Sequence, residues 1–83
     1  LLLGGFFMTT ANKSTIESAL RRAGINAEVF KGDGYFYFVG SPNSYLDVGR
    51  YSTSVYGVCY YSHMSIERWV EEAQSIIKRN MEL

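Results

Sequence analysis

An 83-residue chain that is 47% apolar and 16% aromatic has the makings of one small domain with a dense core. Its eight basic and eight acidic residues cancel, which counts against a nucleic-acid binder relying on phosphate neutralisation and favours self-association. A lone cysteine, Cys59, excludes an internal disulfide and a cysteine-based zinc site and fits a reducing cytoplasm; no apolar run approaches the roughly 18 residues of a membrane span.

Leu1-Leu2-Leu3-Gly4-Gly5-Phe6-Phe7 lacks the basic start and small-residue cleavage site of a signal peptide, and Met8-Thr9-Thr10 looks like an ordinary start. Residues 1–13 are expected to form a flexible extension, with an apolar arm that packs on the domain or a neighbour as the sharper reading. The domain proper is expected over 14–80. The first helix is expected to open on a Ser14–Glu17 capping box. Ile16, Ala19, Leu20 and Ala23 then follow the i, i+3, i+4, i+7 pattern of one helical face. Arg21 and Arg22 complement the dipole of its last turn, a more economical reading than a phosphate patch. Gly24 suits the C′ position that ends it, with Ile25 as the hydrophobic contact beyond.

The first strand runs near Asn26 to Lys31. The second, Gly34-Tyr35-Phe36-Tyr37-Phe38-Val39-Gly40, is aromatic on both alternate faces. A two-residue Asp33-Gly34 turn pairs Val29 with Phe38 and Lys31 with Phe36. It sends Ala27, Val29, Phe36 and Phe38 to the core and leaves Glu28, Phe30, Tyr35 and Tyr37 outside. A three-residue turn instead sets Glu28 beside Phe30, Phe36 and Phe38, a poor place for a carboxylate. After the turn cluster Ser41-Pro42-Asn43-Ser44, the stretch 45–53 is expected to be a packed loop, since it carries Tyr45, Leu46, Val48 and Tyr51. The third strand is expected over Ser54 to Tyr61, with Val55, Gly57, Cys59 and Tyr61 inward and Tyr56, Val58 and Tyr60 outward. The second helix starts near Ser65. Its stripe of Ile66, Trp69, Val70, Ala73, Ile76 and Ile77 faces the core, Trp69 being the largest anchor, and Asn80 onward is expected to fray.

The fold class that follows is α+β: a two-layer α-β-β-β-α sandwich, a three-stranded antiparallel meander with both helices on one face. Candidates for chemistry are few. His63 and Cys59 lack further metal ligands, and as a nucleophile–base pair they require a thiol that is expected in the core. Gly32-Asp33-Gly34 joins two strands, whereas a phosphate loop passes from a strand into a helix. Glu67, Glu71 and Glu72 read as a solvated helix face. No cofactor, no metal ligand and no catalytic residue is assigned, and the chain is read as a non-enzyme.

What remains is the outer sheet face, where Phe30, Tyr35, Tyr37, Tyr56 and Tyr60 are expected to gather. Tyrosine suits an interface because its ring is apolar while its hydroxyl stays hydrogen-bonded. These five residues are the candidate binding site for a protein partner or a second copy. Base stacking on single-stranded nucleic acid, with Lys31 and Arg50 near the rim, is the alternative, and cross-strand pairs stabilising a solvated face are the plain structural reading.

The order helix, three-stranded meander, helix over roughly 14–78 resembles the layout of double-stranded RNA-binding domains and of small HicA-type toxins. Their motifs are absent: the second helix opens Ser65-Ile66-Glu67-Arg68 rather than on lysines, and the first hairpin turn holds Gly32-Asp33-Gly34 rather than a histidine. The stretches Gly34-Tyr35-Phe36-Tyr37-Phe38, Ser54-Val55-Tyr56 and Ser65-Ile66-Glu67-Arg68-Trp69-Val70-Glu71-Glu72 resemble small uncharacterised proteins of phages, plasmids and other bacterial mobile elements. That resemblance implies a bacterial, cytoplasmic setting and no particular chemistry.

Overall fold

A computed structural model describes residues 10–83. Helix α1 (Lys13–Arg22) is followed by strands β1 (Ala27–Lys31), β2 (Tyr35–Gly40) and β3 (Ser54–Tyr56), a single 3-10 turn at Tyr61–His63, and helix α2 (Ile66–Met81). The strands form one antiparallel sheet in the order β1-β2-β3, and both helices bury their apolar stripes against one side of it, so the chain is an α+β two-layer fold. The apolar stretch that opens the chain lies outside the described residues.

Local chemistry sets the helix ends. The Asn12 side chain accepts from the Thr15 N–H, and Thr15 Oγ1 accepts from the Asn12 N–H, both at 3.0 Å. The capping box is therefore Asn12–Thr15 rather than Ser14–Glu17, and the helix starts earlier than expected. The fold reaches back at least to Ala11, whose side chain is buried in the core. At the other end Gly24 N–H donates to Arg21 O and Ile25 N–H to Leu20 O, the two bonds of a Schellman motif, and Ile25 is buried beyond them. Helix α2 is capped by Ser65, whose hydroxyl accepts from the Arg68 N–H at 3.1 Å.

The hairpin has the expected register, with Val29 opposite Phe38 and Lys31 opposite Phe36. Gly32 N–H donates to Tyr35 O at 2.7 Å, leaving Asp33-Gly34 as the two-residue turn. Phe36 and Phe38 thus point inward, and the Trp69 ring meets both edge-on at centroid distances of 5.1 and 6.2 Å. With Ile16, Leu20 and Val29 these are the largest fully buried side chains.

Three further expectations are corrected. β3 stops at Tyr56 instead of running to Tyr61, because Gly57 takes a φ of 83° that turns the chain out of the sheet and that a side chain would strain. Val58 then fills the core place expected for Gly57 and Cys59, and Cys59 is exposed. Tyr61 is half-buried, its ring 4.7 Å from that of Phe36, and its carbonyl accepts the Trp69 indole N–H at 2.8 Å. Last, Asn80 does not fray. It is 3% exposed inside α2, and its amide donates to Tyr45 O at 2.8 Å and Ser52 O at 3.4 Å.

Those bonds pin the 45–53 stretch, whose packing is partial: Leu46 and Thr53 are buried, whereas Tyr45 and Val48, expected to pack, are exposed. Gly40 N–H donates to Leu46 O at 2.8 Å, and Thr53 Oγ1 donates to Phe38 O at 2.6 Å. Asp47 accepts from the Asn43 and Gly49 N–H groups, which hold its carboxyl below the usual carboxylate range.

Candidate functional site

Alternation along β1, β2 and β3 sends Phe30, Tyr35, Tyr37 and Tyr56 to the side of the sheet opposite the helices. Phe30 is paired with Tyr37 and Tyr35 with Tyr56, so the rings form a row that crosses all three strands. Centroids are 5.7 Å apart for Phe30–Tyr37, 5.9 Å for Tyr37–Tyr35 and 5.8 Å for Tyr35–Tyr56. These spacings are those of interacting aromatic pairs, worth about 0.5–1.5 kcal/mol each beyond their area. The row is graded in exposure: Phe30, Tyr35 and Tyr37 are half-buried by one another, and Tyr56 is 72% exposed.

Lys13 and Gly32 shape the row, one at its Phe30 end and the other under Tyr35. Lys13 reaches around the β1 edge and sets its ammonium 3.8 Å from the centre of the Phe30 ring, a cation–π contact that closes the row on that side. At the hairpin tip the Tyr35 ring lies over Gly32, where an added Cβ would come within 2.5 Å of it. Only glycine leaves space for the ring to lie there.

Tyr60, expected on this face, is not part of the row. It follows the Gly57 bend, is 62% exposed, and meets His63 edge-on at 4.9 Å, while Lys31 Nζ lies 5.9 Å from its ring. Lys31 has turned toward the helix side as well, where its ammonium lies 5.4 Å from the Phe36 ring and donates to Cys59 O at 3.1 Å. The structure therefore gathers Phe30, Tyr35, Tyr37 and Tyr56 and separates Tyr60 from them.

The two outer strands differ in their main-chain surroundings. On β1, Val29 N–H donates to Glu17 Oε2 at 2.9 Å, while Val29 O accepts from Lys13 Nζ at 3.0 Å and from the Tyr61 hydroxyl at 3.4 Å. Lys13 and Glu17 are themselves paired at 2.6 Å. Burial beside these groups pushes the Tyr61 hydroxyl's pKa up. β3 has no such cover: among the described residues, nothing bonds to the main chain of Ser54 or Tyr56 from outside the sheet. A groove of ≈ 540 Å³ runs beside it, walled by Val55, Val58, Met64, Arg68 and Glu72.

The polar candidates do not converge. His63 Nδ1 accepts from the Cys59 N–H at 3.4 Å, a main-chain contact. Glu72 is paired with Arg68 at 2.9 Å. Among the described residues no group of three or more His, Cys, Asp or Glu is placed to hold a metal ion, and no helix is long and apolar enough to cross a membrane. Comparison with protein-family models, curated proteins and solved structures finds no match.

Proposed function

We propose that this chain is a non-enzymatic interaction module that receives a protein surface on the row Phe30–Tyr37–Tyr35–Tyr56. The observation that carries this reading is the row's continuity across all three strands, opposite the helix-packed face. Tyrosine rings held in place by their neighbours offer large contact area at little further cost in side-chain entropy. The cation at the end of the row, Lys13, is engaged by Glu17 and Val29 O, and Glu28 shares this face, so little positive charge is left to attract phosphate. That favours a protein over a nucleic acid. A bacterial cytoplasmic setting, implied by the resemblance above, belongs to the proposal, and the exposed Cys59 thiol suits it.

The test compares the chain with a Tyr35→Ser/Tyr37→Ser variant, using affinity capture followed by titration of the purified captured protein. The expected result is binding that changes little with salt and is lost in the variant while its circular dichroism stays native. A partner retained by the variant overturns the reading. So does binding only to single-stranded oligonucleotides with affinity falling steeply as salt rises.

A further inference from the structure

We propose that two copies of this chain pair through the outer edge of β3, antiparallel about a two-fold axis at Val55, to make one six-stranded sheet. Phe38 N–H donates to Thr53 O at 3.2 Å, which fixes the phase of the β2–β3 ladder. With Phe36 opposite Val55, alternation turns the Val55 main-chain groups toward β2 and those of Ser54 and Tyr56 away from it. Each of these two residues then presents one donor and one acceptor along an edge that nothing covers among the described residues.

That pattern is its own complement. Turned by a two-fold axis perpendicular to the sheet at Val55, Ser54 of one copy lies opposite Tyr56 of the other, and each pair exchanges both of its bonds. The two Val55 residues face each other at the axis, where the strands approach most closely. The groove of ≈ 540 Å³ beside the edge gives the incoming strand space on the helix side. Its wall carries one charge of each sign, Arg68 and Glu72, so a symmetric copy meets no run of like charge. The chain as a whole has zero formal charge and no long-range repulsion to overcome.

Association of this kind stops at two. The other edge, at Val29, is already bonded to Glu17, Lys13 and Tyr61, so a dimer offers no second edge for growth. The axis keeps both aromatic faces on the same side of the sheet. The two Tyr56 rings become diagonal neighbours at roughly 7–8 Å, and the rows of the two copies join. This pairing stands independently of the proposed use of the aromatic face, because main-chain groups make it. A strand of 3 residues buries far less than the roughly 1,200–2,000 Å² of stable complexes, so the dimer is weak, with a dissociation constant on the order of 100 µM.

Sedimentation velocity and amide NMR on the full chain, from about 10 µM to about 1 mM, span that constant. The expected result is a reversible dimer, with the Ser54 and Tyr56 amide signals shifting as it forms. Ser54→Pro removes an outward N–H, and Tyr56→Lys places like charges near the axis; each is expected to weaken association at least about tenfold. Tyr37→Ser is expected to leave it unchanged. Monomer at every concentration overturns the pairing. A dimer that survives Tyr56→Lys with its Ser54 amide unmoved also overturns it, as does a dimer lost only in Tyr37→Ser, which would place the contact on the aromatic face.

Discussion

β1 and β3 are both outer strands of one sheet, and they meet water in opposite ways. At Val29 of β1 the outward N–H and C=O are answered by the Glu17 carboxylate, the Lys13 ammonium and the Tyr61 hydroxyl. At β3 the outward groups of Ser54 and Tyr56 have no such partners among the described residues, and the strand is only 3 residues long. Helix α1 thus does two jobs: its apolar side builds the core through Ile16 and Leu20, and its Lys13–Glu17 pair finishes an edge. An exposed strand edge invites pairing with another chain unless it is covered, charged or short. Here the first remedy is used at β1 and the last at β3, and only the covered edge is closed to a further strand.

The strongest way to break this contrast is to remove what stands behind the closed edge. Trp69 packs on Phe36 and Phe38, and its indole N–H holds Tyr61 O, from which the Tyr61 hydroxyl reaches Val29. Trp69→Ala is expected to cost about 3–5 kcal/mol, comparable with the whole stability of so small a domain. Circular dichroism and urea titration check it; a native spectrum with less than about 1 kcal/mol lost would show that the indole is not the anchor.

Next in size is Glu17→Ala, which leaves the Val29 N–H and the Lys13 ammonium without their shared carboxylate. Loss of about 1.5–3 kcal/mol is expected, since both bonds involve a charged group. The change in assembly sharpens the comparison further. With the Val29 N–H freed and only its carbonyl still held by Lys13 and Tyr61, the β1 edge can accept a further strand, and association should pass beyond a pair, read by light scattering as mass that keeps rising with concentration. An unchanged mass distribution would mean that Glu17 does not guard the edge.

Asn80→Ala acts on the segment that leads into β3, because the Asn80 amide ties Tyr45 O and Ser52 O to α2. The expected cost is about 1–2 kcal/mol. Hydrogen exchange should quicken at Gly40, which donates to Leu46 O, while exchange at Val29 stays slow. Equal acceleration at both sites would show that the two edges are not supported separately.

The hairpin and the helix stripes were legible because each rests on short-range information. The Asp33-Gly34 turn length sets which of Tyr35, Phe36, Tyr37 and Phe38 face inward, and apolar spacing in α2 points to Trp69. The end of β3 was not legible, since Tyr56, Val58, Tyr60 and Tyr61 continue the composition of a strand beyond Gly57. Only the positive φ that Gly57 adopts breaks the ladder, and that error carried Tyr60 and Cys59 onto the wrong surfaces. Lys13 and Glu17 are visible as an i, i+4 helix pair. Nothing local reveals that Val29, on another element, is what they bind, or that Asn80 reaches back to Tyr45 and Ser52.

The smallest effect separates the edges by pH. Tyr61 belongs only to the closed edge, and burial raises its hydroxyl's pKa above the ordinary 10.0. The folded state therefore holds the proton more tightly than the unfolded chain. The stability this gives is fully present below pH 10.0 and is lost as pH rises through the raised folded value. Denaturant titrations of wild type and Tyr61→Phe should run parallel near neutrality, offset by whatever the 3.4 Å bond to Val29 O contributes. Above pH 10.0 the wild-type curve should fall away from the variant. The two proteins differ only at this hydroxyl, so curves that stay parallel through the alkaline range would show that it is not held protonated against the β1 edge.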